Sequence, residues 1–210
     1  MSTKLPYQAS EIEFVERKSR FIGNVFTVYS EAEAREMIAM VRELHDEASH
    51  VVYAYDIASE NATRFSDDGE PKGTAGMPVY EIFRREELTC YCCTVTRYFG
   101  GILLGAGGLI RAYANTAKLA LEAAGIAVLM PYAAVRIVCA YPHYDIIRAF
   151  LRDFEYTVEQ TEFLQDVTLD ILIPEGIFED IRHGVLNITS GRATVTQTET
   201  RMRPQRLQKE

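Results

Sequence analysis

The chain has 210 residues, 22 of them Lys or Arg and 30 Asp or Glu, for a formal net charge of −8. With 48% hydrophobic and 25% charged residues it has the composition of one large or two small globular domains, which excludes wholesale disorder. The acidity argues against a protein that coats nucleic acid non-specifically, and no stretch has the length and apolarity of a membrane span, so no membrane partner is expected.

The N-terminal stretch MSTKLPYQASEIEF lacks the apolar core and small-residue cleavage site of a signal peptide, which predicts a cytoplasmic protein. IEFVERKSRFIGNVFTVY then has the β-branched and aromatic content of a strand, with polar interruptions. Ser30, followed by Glu31 and Glu33, has the pattern of a helix N-cap with acids in the first turn. Ala34, Ile38, Val41 and Leu44 continue at helical spacing, so 31–45 is predicted as an amphipathic helix. A strand follows from His50 to Ile57.

Residues 58–75 (ASENATRFSDDGEPKGTA) are polar and rich in turn formers, and an unstructured loop of that length in a compact domain is usually functional or disordered. A short helix is predicted over 76–87, with Pro78 tolerated in its first turn. CYCCTVTRY reads as a buried strand over 90–98, with Cys90 and Cys92 on one face and Cys93 on the other. These thiols lack the repeated spacing of a zinc site and read as small buried hydrophobes. After a glycine-rich loop, a helix is predicted from about Leu109 to Ala124, ended by Gly125.

The chain starts again near Met130-Pro131. A strand (132–141), a helix (143–155), two strands (156–163 and 167–173), a helix from Pro174 to about Asn187 and a last strand (192–200) give the order βαββαβ, a ferredoxin-like split unit. The predicted class is α/β (α+β), with domains at 1–130 and 131–203 and a disordered tail at 204–210.

The stretch most able to carry chemistry is Thr96–Tyr113. Between Thr89 and Leu121 there is no Asp or Glu, and Gly100, Gly101, Gly105, Gly107 and Gly108 place five of the 13 glycines within nine residues. Glycines let backbone N–H groups turn toward one point, and a following helix N-terminus adds the positive end of a dipole. With Arg97, Arg111 and Lys118 nearby, the pattern suits an anion, although neither G-x-x-x-x-G-K-[ST] nor G-x-G-x-x-G is present. The alternative is a tight connection whose glycines only permit close packing.

A second patch is Phe65–Pro78. Asp67, Asp68 and Glu70 could present oxygens to a divalent cation or a protein partner, while Asp-Gly and Glu-Pro could simply build a β-turn. Lys72, Gly73 and Thr74 could extend the anion site. His50 is the candidate general base, although no partner nucleophile is evident.

Ser19-Arg-Phe-Ile22, His50, Phe65-Ser-Asp-Asp-Gly-Glu-Pro71, Gly73-Thr-Ala-Gly76 with Pro78, Thr96-Arg-Tyr-Phe-Gly-Gly101 and Leu104–Tyr113 together resemble the IMPACT/YigZ family, in order and in spacing. The resemblance implies an N-terminal domain like the RNase PH and ribosomal small-subunit protein superfamily. It implies a ferredoxin-like C-terminal domain similar to domains of elongation factor G. It further suggests RNA or ribosome association and a link to the regulation of translation. The partner-binding domain of the eukaryotic relatives has no counterpart before the match begins, so their regulatory partner is not carried over. In this expectation Arg97, Arg111 and Lys118 neutralise phosphates, and Tyr98 or Tyr113 stacks on a base. The competing expectation is a hydrolase or transferase acting on a phosphorylated small molecule or nucleotide. There His50 is the base, and Asp67, Asp68 or Glu70 holds a divalent cation. Docking of a protein through the 67–72 loop is a third.

Overall fold

A computed structural model describes residues 3–207. The chain divides into two compact units. One holds the chain up to Leu129 together with the stretch from Pro204, and the other spans Met130–Arg203.

The first unit contains β1 (Lys4–Pro6), β2 (Ser10–Glu16), β3 (Ser19–Thr27), α1 (Glu31–Leu44), β4 (His50–Ile57), a 3-10 turn (Ala58–Glu60), β5 (Ala62–Ser66), α2 (Gly76–Arg85), β6 (Tyr91–Tyr98) and α3 (Gly105–Ala124). Five strands form an antiparallel sheet in the order β2-β3-β6-β4-β5. The central strands are apolar on both faces because helices cover both. Val79 and Phe83 of α2 and Leu109, Tyr113 and Ala117 of α3 pack with Phe21, Val52, Cys93 and Val95. Ala34 and Ile38 of α1 pack on the opposite face with Tyr55, Ile57 and Cys92. Phe83 stacks on Tyr91 with ring centroids 4.2 Å apart, and full burial of one such ring stabilises by roughly 1.5–3 kcal/mol.

The N-cap predicted for α1 is present: Ser30 Oγ accepts from Glu33 N–H at 3.2 Å, and the Glu33 carboxylate accepts from Tyr29 N–H at 2.8 Å. The segment predicted as one strand over 12–29 lies in a hairpin. Arg17 and Lys18 form its two-residue turn with φ of 46° and 65°. Such a turn normally carries Asn-Gly or Gly, so Arg-Lys gives no local signal. The predicted loop 58–75 is partly ordered into β5, paired to β4 from Tyr53↔Ser66 to Ile57↔Ala62. Cys90 precedes β6 and packs with Leu5 and Ala127, so it does not share a face with Cys92.

In the second unit, β7 (Ile126–Cys139, from Met130 onward), α4 (Tyr141–Leu151), β8 (Thr157–Phe163), β9 (Val167–Pro174), α5 (Phe178–Ile188) and β10 (Thr194–Arg206, as far as Arg203) follow in βαββαβ order. The strands line up as β10-β7-β9-β8. Ile147, Leu151, Ile181 and Val185 of the helices pack with Val135, Ile137, Leu169 and Ile171 of the sheet. The expected disorder from residue 204 is corrected: Pro204–Arg206 belong to β10, and Leu207 N–H bonds the Ile126 carbonyl at 2.8 Å. The rest of the expected tail, 208–210, lies outside the described residues. Among the described residues, no helix is long and apolar enough to cross a membrane.

Candidate anion-binding cleft

Helix α3 begins at Gly105, four residues before the predicted start, so Gly105, Gly107 and Gly108 lie in its first turn rather than in a loop. Glycine is a poor helix former, and packing of the buried α3 stripe overrides that preference. No side chain caps this N-terminus and no acid occupies its first turn. Its first N–H groups therefore keep their donor capacity, and the dipole favours negative charge there. Gly105 enters at φ +70°. Gly100 is required for a different reason. A Cβ there would lie 2.0 Å from the Lys18 carbonyl carbon, so only glycine lets the strand-to-helix connection close onto the hairpin tip.

Two clefts flank the start of α3, and Leu104 lines both. One, of about 500 Å³, is lined by His50, Glu70, Arg97 and Phe99 together with Leu103, Gly105 and Ala106. The glycine connection, His50 and the 65–74 loop thus meet in one place. The other, also about 500 Å³, is lined by Arg17, Arg111 and Lys118 with Phe14 and Glu16. Arg111 lies over the first turn of α3, its Nη1 only 3.8 Å from where a Cβ on Gly107 would sit.

Arg97 and Arg111 therefore do not clamp one anion together. Arg97 is buried, and its Nη1 donates to Glu70 Oε1 at 2.6 Å. The expectation that Arg97 neutralises a solvent-exposed phosphate is corrected, because its charge is already matched in the protein interior. Its Nη2 reaches Ser19 Oγ at 3.4 Å, and its buried Nε has no partner. Tyr113 is also buried, its hydroxyl donating to Glu70 Oε1 at 2.8 Å. Burial, and then the Glu70 carboxylate, push its phenol far up, so it stays a neutral donor, and the full burial of its ring denies it to a base. Tyr98 is engaged as well. Its hydroxyl meets His45 Nδ1 at 3.0 Å, and the Arg20 guanidinium sits 4.8 Å from its ring centroid. The exposed aromatic ring is instead its neighbour Phe99, which the sequence reading passed over.

The 65–74 loop is occupied by its own architecture. The Asp67 carboxylate accepts from the N–H groups of Gly73 at 2.7 Å, Ala75 at 3.1 Å and Gly76 at 2.8 Å, so it caps α2 from a distance. The Asp68 carboxylate takes Val51 N–H and Arg42 Nη2, each at 2.7 Å. Glu70 N–H donates to the Asp67 carbonyl at 3.0 Å, closing the turn that Asp-Gly foretold. The three carboxylates thus serve three separate sets of donors instead of converging on a cation. Among the described residues no group of three or more His, Cys, Asp or Glu is placed to hold a metal ion. Thr74 is buried with its hydroxyl on the Pro71 carbonyl, and Gly73 N–H is spent on Asp67, so neither extends the anion site; Lys72 is exposed. Gly101 takes φ +81° beyond β6 and lines neither cleft.

His50 is positioned as a base would be. Its Nδ1 lies 2.7 Å from the Asp68 carbonyl, which can only accept, so Nδ1 carries a proton. Nε2 is then the basic nitrogen, 3.9 Å from Glu70 Oε1. Ser49 Oγ, the nearby cleft hydroxyl, accepts from Phe99 N–H at 3.3 Å.

The family profile described as "Impact N-terminal domain" matches residues 17–121, and one described as "Domain of unknown function (DUF1949)" matches 137–192. The IMPACT family member YvyE of Bacillus subtilis (strain 168) is 33% identical over 193 residues, covering 91% of this chain and 89% of the relative. The IMPACT family member YigZ of Escherichia coli (strain K12) is 30% identical over 161 residues, covering 75% of this chain and 79% of that protein. A solved structure described as "Crystal structure of an hypothetical protein" superposes with a TM-score of 0.59 at 26% identity, covering 94% of this chain and 98% of the other. Long matching motifs, both family profiles and relatives matched over most of their length agree that the chain belongs to the IMPACT family.

Proposed function

We propose that this protein binds RNA phosphates, free or on the ribosome, through the start of α3, and that this binding connects it to the regulation of translation in the cytoplasm. The observation that carries the reading is the first turn of α3. It is uncapped, glycine-rich and free of acid, with Arg111 over it and Arg17 and Lys118 lining the groove beside it. Amides and cations so arranged suit phosphate oxygens, and they do so on a protein whose net charge opposes indiscriminate binding. The likeness to ribosomal small-subunit proteins and to elongation factor G domains that the family resemblance implies supports the same reading.

The test is RNA affinity measured across a salt series. Arg111→Ala should weaken binding and lower the salt slope by about one unit, since one phosphate contact is lost. Unchanged affinity and slope would overturn the reading.

A second reading is favoured by His50 alone: a hydrolase or transferase acting on a phosphorylated small molecule or nucleotide, with Nε2 as general base. A divalent cation would have to arrive with the substrate phosphates, since the loop carboxylates are engaged elsewhere. Turnover of a nucleotide panel abolished by His50→Gln would favour this reading over simple binding.

A further inference from the structure

We infer that the cleft holding His50 and Phe99 receives a nucleoside monophosphate unit, its phosphate at the first turn of α3 and its base on the Phe99 ring. The inference rests on the phosphate reading of α3 and adds what is attached to the phosphate.

Four observations on separate groups support it. First, Phe99 lines the cleft with its side chain half exposed. The Arg97 guanidinium lies 5.5 Å from its centroid and 5.5 Å from that of Phe21. Arg97 is itself held by Glu70, so the ring is backed by a fixed cation, and its remaining surface is a platform for a flat π-system. Second, Arg97 lines the cleft with its side chain more than nine-tenths buried, and its buried Nε–H has no acceptor in the protein. Orphaned buried donors are rare, so the fold leaves one donor of a cleft residue unspent. Third, Gly105 and Ala106 of the α3 first turn line the same cleft, and no side chain caps that helix start. Fourth, Pro71, Leu103, Leu104 and Leu109 give the wall an apolar stretch beside the polar Ser49, His50 and Glu70, which suits a base and sugar more than a run of phosphates. At about 500 Å³ the cleft falls within the roughly 300–1,000 Å³ of small-ligand sites. The unit that combines one anion with one flat ring is a mononucleotide, free or at the end of a strand.

The test uses the full chain and isothermal titration. The probes are one RNA oligomer prepared with a 5′-phosphate, with a 3′-phosphate and with hydroxyl ends, together with adenosine monophosphate and inorganic phosphate. A phosphorylated oligomer should bind at least tenfold more tightly than the hydroxyl-ended one. Phe99→Ala should remove that preference and weaken binding by about 5- to 150-fold, the range of one lost stacking contact. Phe99→Tyr, which keeps the ring, should restore it, so that misfolding is separated from loss of the platform. Adenosine monophosphate binding as tightly as the phosphorylated oligomer identifies the free nucleotide as the source, whereas much weaker binding identifies the strand end. Equal binding of phosphorylated and hydroxyl-ended oligomers, with Phe99→Ala silent, would overturn the inference. It would leave the RNA reading standing if Arg111→Ala still lowers the salt slope. Inorganic phosphate binding as well as the nucleotide would also overturn it, and no binding of any probe would remove both readings.

Discussion

Glu70 and Arg97 stand 27 residues apart in sequence, yet they form a buried ion pair of 2.6 Å that also holds the Tyr113 hydroxyl. The pair joins the 65–74 loop, the end of β6 and the first half of α3 at one point. It gives the cleft a rigid floor and uses up the guanidinium that the sequence offers most plainly to a ligand. Removing one partner leaves the other charged and buried, so Glu70→Ala should cost about 3–5 kcal/mol in chemical denaturation. The double variant Glu70→Leu/Arg97→Met should cost clearly less than the sum of the single ones, because no orphaned charge remains. Additive costs would show that the two charges do not act as a pair.

Asp67 does the work of an N-cap for α2, though it sits nine residues before Gly76. Its carboxylate is the acceptor for three backbone donors, and losing a cap costs about 0.5–2 kcal/mol. Asp67→Ala should fall at the upper end of that range. Asp67→Asn, which keeps one acceptor oxygen, should cost less. Urea midpoints of the two variants check the order.

Gly100 tolerates no side chain, since a methyl group would overlap the backbone of Lys18 and Ser19. Gly100→Ala should destabilise by about 1–3 kcal/mol, the usual cost of forced overpacking. The expected signature is loss of hydrogen-exchange protection in the β2–β3 turn together with the 99–104 connection. An alanine variant as stable as the wild type would show that the two segments separate easily.

The four cysteines are free and buried. Burial pushes the Cys92 thiol up to about 12 and raises Cys93 well above its ordinary value. Burial also raises Cys90 and Cys139. A native chain should therefore react slowly with thiol reagents near pH 8, and a denatured one should yield four equivalents. The same shifts contribute to the loss of stability at alkaline pH, together with the raised phenols of the buried Tyr91 and Tyr113. In the unfolded chain these thiols ionise near their ordinary value of 9.0, while Cys92 keeps its proton to about pH 12 in the folded chain. The stabilisation is complete below pH 9 and is lost as pH rises toward 12. Each group protonated only in the folded state adds about 1.4 kcal/mol of loss per pH unit. Cys92→Ala should make this alkaline decline shallower in a pH series of denaturation curves.

Much of the fold was legible because its signals are local. Ser30 with Glu33 and the Ala34, Ile38, Val41 spacing define α1 without reference to any other segment, and the βαββαβ order of the second unit follows from periodicity and turn residues. Failures arose where a distant segment supplied the missing partner. The 58–75 stretch reads as a loop until β4 offers an edge for Ala62–Ser66. The basic tail reads as disordered until β7 pairs with β10.

The amino-acid sequence by itself determined that an acid-free, glycine-rich segment runs from a buried strand into a helix, and that His50 opens a strand and Asp67–Glu70 a turn; that the three meet in one cleft was decided by the fold. Those features rest on residue type and near spacing. Only the tertiary structure decided which charges remain available there. Burial makes an unpaired charge costly, so Arg97 is matched by Glu70, while Arg111, on an exposed turn of α3, faces a solvent-filled groove. The same folding turned Tyr98 and Tyr113 inward to their partners and left Phe99, which has no polar group to satisfy, as the ring facing the cleft.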